Sequence, residues 1–236
     1  MRRKEKLVRL YAKITPERCE GVFSGITFKD FINYVPNPIE NILLLEKIYI
    51  STKQHRKFEL FEGGHDIAKL MLENIYSYGD FCFVDYADPN LPNHLTDEQI
   101  AELLYLRHMF KPLKSPFFEV LKNNFAYLSH DDGWYCKIYC KEQSVLSMLL
   151  ANKIKSVLEN DFKISVNAIP DNLINCFQEL SLKGLLLEIR HETQRLNSTE
   201  IRAYNIGEHE NIDDLFNNID LKQLSASLVE KVSIGS

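Results

Sequence analysis

A chain of 236 residues with 45% hydrophobic residues, only 9 Gly and 8 Pro, and no low-complexity tract can bury a substantial core, which excludes a disordered or fibrous protein. The formal net charge of -5 argues against a protein built mainly to grip phosphate backbones, because that task needs a concentrated positive field. No stretch approaches the roughly 20 consecutive apolar residues of a membrane span.

The only basic cluster, Arg2, Arg3, Lys4 and Lys6, reads as a solvated tail with no apolar run behind it, so no secretory signal is expected. Five cysteines, Cys19, Cys82, Cys136, Cys140 and Cys176, form an odd set without close pairing and fit reduced thiols. The expectation is a soluble cytoplasmic protein with no membrane association and no cofactor.

Alternation marks the first strand, with Val8, Leu10, Ala12 and Ile14 on one side and Arg9, Tyr11 and Lys13 on the other, ending before Pro16. Two further apolar runs, "NILLLEKIYIS" (41–51) and "KFELF" (57–61), flank the polar "TKQHR" as strands flank a loop. "HDIAKLMLENIY" (65–76) has helical spacing at Ile67, Leu70, Met71 and Ile75, and "DFCFVDYA" (80–87) returns to strand. A helix starting at Thr96 carries a capping-box pattern with Gln99, has Asp97 and Glu98 in its first turn, and stops near Pro112.

"YLSHDDGWYCKIYC" (127–140) reads as a hairpin, since Asp132-Gly133 suits a two-residue turn in which glycine accepts positive φ. That turn sets a register: Ser129 opposes Cys136, Tyr127 opposes Ile138 and Phe125 opposes Cys140 on one face, while His130 opposes Tyr135 on the other. His130 and Asp131 then point to opposite faces. Cys136 and Cys140 share a face but lie roughly 13 Å apart along a strand, too far to hold one zinc.

A long helix is expected from about Glu142 to Asn160, and another from Pro170 and Asp171, closed by Gly184 in the C′ position. Residues 185–206 read as two strands around a turn near Asn197, with a helix through Arg195 as the competitor; residues 212–232 read as helix. The expected fold is α+β, a mixed, largely antiparallel sheet with about five to seven helices packed on it. It is read as one globular domain over 1–236, with a subdivision into 1–141 and 142–236 as the alternative.

Three groups of residues carry candidate chemistry. "GGHDIAK" (63–69) resembles the His-Asp core of HD-type metal-dependent phosphohydrolases, in which adjacent His and Asp bind metals that activate water. That resemblance implies His65 and Asp66 as catalytic and metal-binding candidates. His130 and Asp131, an adjacent His and Asp in the 127–140 stretch, are further catalytic candidates. The competing reading is a helix start, with Gly63 and Gly64 in the turn and Asp66 at the positive helix end. Asp80, Asp85 and Asp88 bracket a strand, which makes Asp85 a metal candidate, although Asp88-Pro89-Asn90 is also a turn signal.

The run "AELLYLRHMFKPLKSPFFEVLKNNFAYLSHDDGWYCKIYC" (101–140) resembles a family of small soluble proteins from Gram-positive bacteria that share the helix, the "SPFF" segment and the "LSHDDGW" hairpin. The resemblance implies a bacterial origin and no catalytic assignment. With 11 Tyr and 14 Phe available for contact surfaces, the leading expectation is a non-enzymatic interaction or regulatory protein of a bacterial cell or its phage, an immunity, antidefence or accessory factor with a protein partner. The alternatives are a metal-dependent phosphoesterase using His65 and Asp66, and nucleic-acid binding by the helix at 171–183 with the following hairpin as a wing.

Overall fold

A computed structural model describes residues 5–46, 58–74, 80–109, 111–130, 135–165, 170–192, 198–207 and 228–235. In chain order these form β1 (Glu5–Thr15), β2 (Glu20–Ser24), α1 (Phe28–Tyr34), β3 (Asn41–Glu46), β4 (Glu59–Glu62), α2 (Gly63–Leu72), β5 (Phe81–Asp85) and α3 (Asp97–Met109). They continue with β6 (Phe125–His130), β7 (Tyr135–Cys140), α4 (Gln143–Ser156), α5 (Asp171–Ser181), β8 (Leu185–Glu192), β9 (Ser198–Asn205) and β10 (Leu228–Gly235). The fold is α+β, with ten strands and five α-helices among the described residues. Two compact units divide the chain: Met1–Pro16, Gly21–Ile26 and Leu146–Ser236 make the first, and Glu17–Glu20 with Thr27–Val145 make the second.

In the first unit the strand order is β10-β9-β8-β1-β2. β8 pairs antiparallel with both β1 and β9, and β9 with β10. The alternation that marks β1 in the sequence has a direct consequence here. Leu10, Ala12 and Ile14 are buried, in line with Leu185, Leu187 and Ile189 of β8, and α5 packs on both strands through the face that carries Leu173, Ile174 and Phe177. The opposite face holds the buried Glu188, which accepts from Arg9 and Arg190 at 2.8 Å each. Burial pushes that carboxyl up, and the two guanidiniums more than offset it, so the group ends below the usual carboxylate range.

The second unit has the order β7-β6-β5-β3-β4 with every pair antiparallel. Its central strands are buried on both faces, which is why "FCFVD" and "FAYLS" read as continuous apolar runs. One face packs Leu43, Leu45, Cys82, Val84 and Leu128 against Leu103 and Leu106 of α3. The other stacks aromatic rings against α1: Phe28 lies 4.2 Å from Phe83 and Phe31 lies 4.8 Å from Phe125, centroid to centroid.

The hairpin register expected from Asp132-Gly133 is the one found, with Phe125↔Cys140, Tyr127↔Ile138, Ser129↔Cys136 and His130↔Tyr135. The turn itself, with Asp131 and Trp134, lies outside the described residues. On the face opposite Tyr127 and Ser129, Ala126, Leu128 and Tyr139 are buried against α3 and the loop after it, while His130 and Lys137 are half-buried. The α3 capping box forms as read: the Thr96 N–H donates to Gln99 Oε1 at 2.9 Å and the Gln99 N–H to Thr96 Oγ1 at 3.3 Å. Residues 185–192 and 198–205 are strands and not the competing helix, while the turn expected near Asn197 lies outside the described residues.

Other expectations are corrected. Residues 228–232 are strand, not the end of a helix over 212–232; Lys231, Val232 and Ile234 pair with Arg202, Ile201 and Thr199, and the remainder of that span lies outside the described residues. Gly184 stands two residues beyond the Leu182 cap of α5, at φ +87°. The helix after Glu142 is α-helical only to Ser156 and ends in a π turn over Val157–Asp161.

Two elements within 17–40, β2 and α1, carry no periodic signal long enough to register. α1 has seven residues, but its start is encoded: Asp30 N–H donates to Thr27 Oγ1 at 3.2 Å and Thr27 N–H to Asp30 Oδ2 at 2.8 Å. We expect Thr27→Ala to cost about 1 kcal/mol, read from urea melts, because so short a helix depends on that cap to seat Phe28 and Phe31. A variant that melts like the parent would show that packing alone holds α1.

Candidate functional site

Proline stiffness shapes a cleft of the second unit. α1 ends where Val35 takes an extended conformation ahead of Pro36, as the residue before a proline must. The following segment, "PNPIE", is held at its far end by the Gly63 N–H donating to the Glu40 carbonyl at 2.7 Å. This strap walls one side of a cleft of about 240 Å³. The other walls are Asp85 and Tyr86 at the end of β5, Asn124 and Phe125 at the start of β6, Cys140 at the end of β7, and Glu142 and Val145 at the start of α4.

Asp85 is the buried charge of the cleft. β5 and β6 pair regularly as far as Val84↔Ala126. One step further the Asp85 carboxylate replaces the ladder: Oδ1 accepts from the Phe125 N–H at 2.8 Å and the Asn124 N–H at 2.9 Å, and Oδ2 accepts from the Asn124 side-chain amide at 3.2 Å. Burial pushes its pKa up to about 6, with the same N–H donors pulling it back.

Asn123 sets those donors in place. It is wholly buried, accepts from the Phe118 N–H at 2.6 Å, and donates to the Pro116 and Phe125 carbonyls at 2.9 and 3.1 Å. All of its hydrogen bonds are spent on folding the loop that precedes β6. Asn41 acts likewise on the neighbouring wall, donating to the Tyr86 carbonyl at 3.2 Å. The Tyr86 hydroxyl donates to Glu62 at 3.1 Å, and burial together with that carboxylate pushes the phenol up.

The described charged residues that line the cleft are all acidic. Glu40 and Glu142 are exposed at its rim and Asp85 is buried within it, while none of the described lining residues is Lys or Arg. With the lone pairs of Asp85 already engaged by three donors, the arrangement offers negative potential and a partly apolar floor from Phe125 and Val145. A carboxylate free to abstract a proton is not what it presents.

The sequence candidates fall in separate places. His65 is exposed in the first turn of α2; Asp66 sits beside it, its carboxylate 3.4 Å from the Glu62 N–H and 3.7 Å from Lys69 Nζ, as expected of an acid at a helix start. His130 lies with its Nδ1 3.0 Å from Asp80 and its ring 4.9 Å from that of Tyr135. Asp131 lies outside the described residues, and Asp85 is the clamp just described. Among the described residues no group of three or more His, Cys, Asp or Glu assembles that could hold a metal ion.

β8 and β9 lie inside their sheet, each paired on both sides, so the hairpin after α5 is not a projecting wing. The residues the sequence did not flag are Asn123, Asn124, Glu40 and Glu142. "KNN" ahead of an apolar run was a turn signal that could have been weighed; Glu40 and Glu142 had none. Comparison of the chain with protein-family models, with curated proteins and with solved structures finds no match.

Proposed function

We propose that this chain is a non-enzymatic binding protein of a bacterial cell or its phage, and that the cleft at Asp85 receives a basic segment of a partner protein. The observation that carries the reading is the single-sign cleft: two exposed glutamates above a buried carboxylate, with no lysine or arginine among the described lining residues. Such a surface favours a positively charged ligand through its field and offers apolar contact beneath. The three donors that engage Asp85 support binding over catalysis, since its acceptor sites hold the β5–β6 junction together. The bacterial part rests on the resemblance of residues 101–140.

A photo-cross-linking amino acid placed at Asn37, on the strap, tests the reading in extract of the source cell. A discrete protein adduct is expected from this position and not from exposed Lys163 in the first unit. Glu142→Lys is expected to lower the adduct yield tenfold or more, because reversing a rim charge opposes a basic ligand. Identical adducts from both positions, or a yield unaffected by Glu142→Lys, would remove the cleft from consideration.

A further inference from the structure

We propose that Cys19 and Cys140 are a redox pair that closes into an intramolecular disulfide, linking the turn before β2 to the wall of the cleft. The two residues are 121 positions apart in the sequence, yet the Cys140 N–H donates to the Cys19 carbonyl at 2.9 Å. One such bond brings the two backbones into direct contact, near the Cα separation of roughly 4.4 to 6.8 Å that disulfides span. Both thiols are free. Cys19 stands in the turn before β2 in the left-handed region, at φ +51°. Gln143 Nε2 lies 3.9 Å from its sulfur.

The two cysteines differ in the way a sequential oxidation needs. Cys19 is partly exposed, whereas Cys140 is buried in the cleft wall. Burial pushes the Cys140 thiol up to about 11, and the neighbouring Cys19 adds to the rise, so the buried sulfur is the poorer first nucleophile. Cys82 and Cys136 are fully buried and their thiols are pushed up for the same reason, which leaves them protected.

With hydrogen peroxide as the oxidant, the Cys19 thiolate attacks a peroxide oxygen, the O–O bond breaks, and hydroxide leaves to be protonated to water. Cys19 is then a sulfenic acid. The Cys140 sulfur attacks the Cys19 sulfur, the S–S bond forms, the S–O bond breaks, and hydroxide leaves with the Cys140 proton as a second water. In sum two thiols are oxidised by two electrons and one peroxide is reduced to two waters. A dithiol reductant reverses the step by thiol–disulfide exchange.

The test uses the full chain, reduced and then treated with a small excess of hydrogen peroxide. Expected are a mass loss of two hydrogen atoms, a fall of two in the thiols titrated after denaturation, and a proteolytic map in which the Cys19 and Cys140 peptides are joined. Dithiothreitol should restore all five thiols. Cys140→Ser should stop at a Cys19 sulfenic acid trapped by dimedone, and Cys19→Ser should keep its remaining four thiols. The parent map needs no variant to fold. No change in parent thiols, a bridge using Cys82, Cys136 or Cys176, or unchanged thiol loss in the Cys140→Ser protein would each overturn the assignment.

Discussion

Gly184→Val will unfold the first unit at denaturant concentrations the parent survives, with an expected loss of about 4 kcal/mol or more. At φ +87° the residue sits where a β-branched side chain is an outlier, and a Cβ built there would lie 1.7 Å from the Gly207 carbonyl oxygen and 2.4 Å from its carbon. The obstruction is backbone, so no side chain can swing aside. Moving it would break the Ile206 N–H bond to the Gly184 carbonyl, 3.0 Å, and the Tyr11 hydroxyl bond to the Gly207 carbonyl, 3.3 Å. Those contacts begin the β8–β9 ladder at Leu185↔Asn205. Gly207→Ala is the control: it too has positive φ, but nothing lies within 4 Å of the added Cβ, so it should cost about 1 kcal/mol. Urea melts in which the two variants coincide would refute this account of the close approach.

Asp85→Ala is expected to cost about 2 to 4 kcal/mol at pH 4, because it orphans the buried Phe125 N–H, worth about 1 to 3, together with the part-buried backbone N–H and side-chain amide of Asn124. The cost should shrink as pH rises. The folded-state pKa is about 6, above the ordinary aspartate value of 3.8, so between these two the folded chain holds a proton that the unfolded chain has released. The stability this group contributes is therefore fully present below about pH 4 and is lost as pH rises through 6, by on the order of 3 kcal/mol. Denaturant melts of parent, Asp85→Ala and Asp85→Asn at pH 4, 5, 6 and 7 should show the gaps narrowing with pH. Gaps that widen instead would mean that the N–H donors outweigh burial and hold the carboxylate ionised.

How far the fold could be read from the sequence depended on whether the deciding interaction was local. Strand alternation in β1, the Thr96 cap and the Asp132-Gly133 turn are local signals, and each leads to the observed element or register. β10 is different: "LVEKVSI" takes its strand form from seven pairings with β9, and nothing within the segment outweighs a helical reading. α1 is too short for a period to show, though Thr27 and Asp30 marked its start.

The cleft was the least legible part, because its walls come from four separate stretches brought together only by sheet order. Asp85 reads in the sequence as a metal candidate at a strand end, and its neighbours in space, the amides of Asn124 and Phe125, lie 39 and 40 residues away where no local signal points to them. Nothing in the spacing of the five cysteines shows that one backbone hydrogen bond joins Cys19 and Cys140.

The most direct test of the central claim, that Asp85 holds the cleft together while its rim selects the partner, is the adduct yield through Asn37 in Asp85→Asn set beside Glu142→Lys. Both proteins should be compared at a pH and temperature where melts show each to be folded. The account predicts a yield close to the parent's for Asp85→Asn and a loss of tenfold or more for Glu142→Lys. An abolished yield in a stably folded Asp85→Asn protein, with Glu142→Lys unaffected, would contradict it and make the buried carboxylate the functional group.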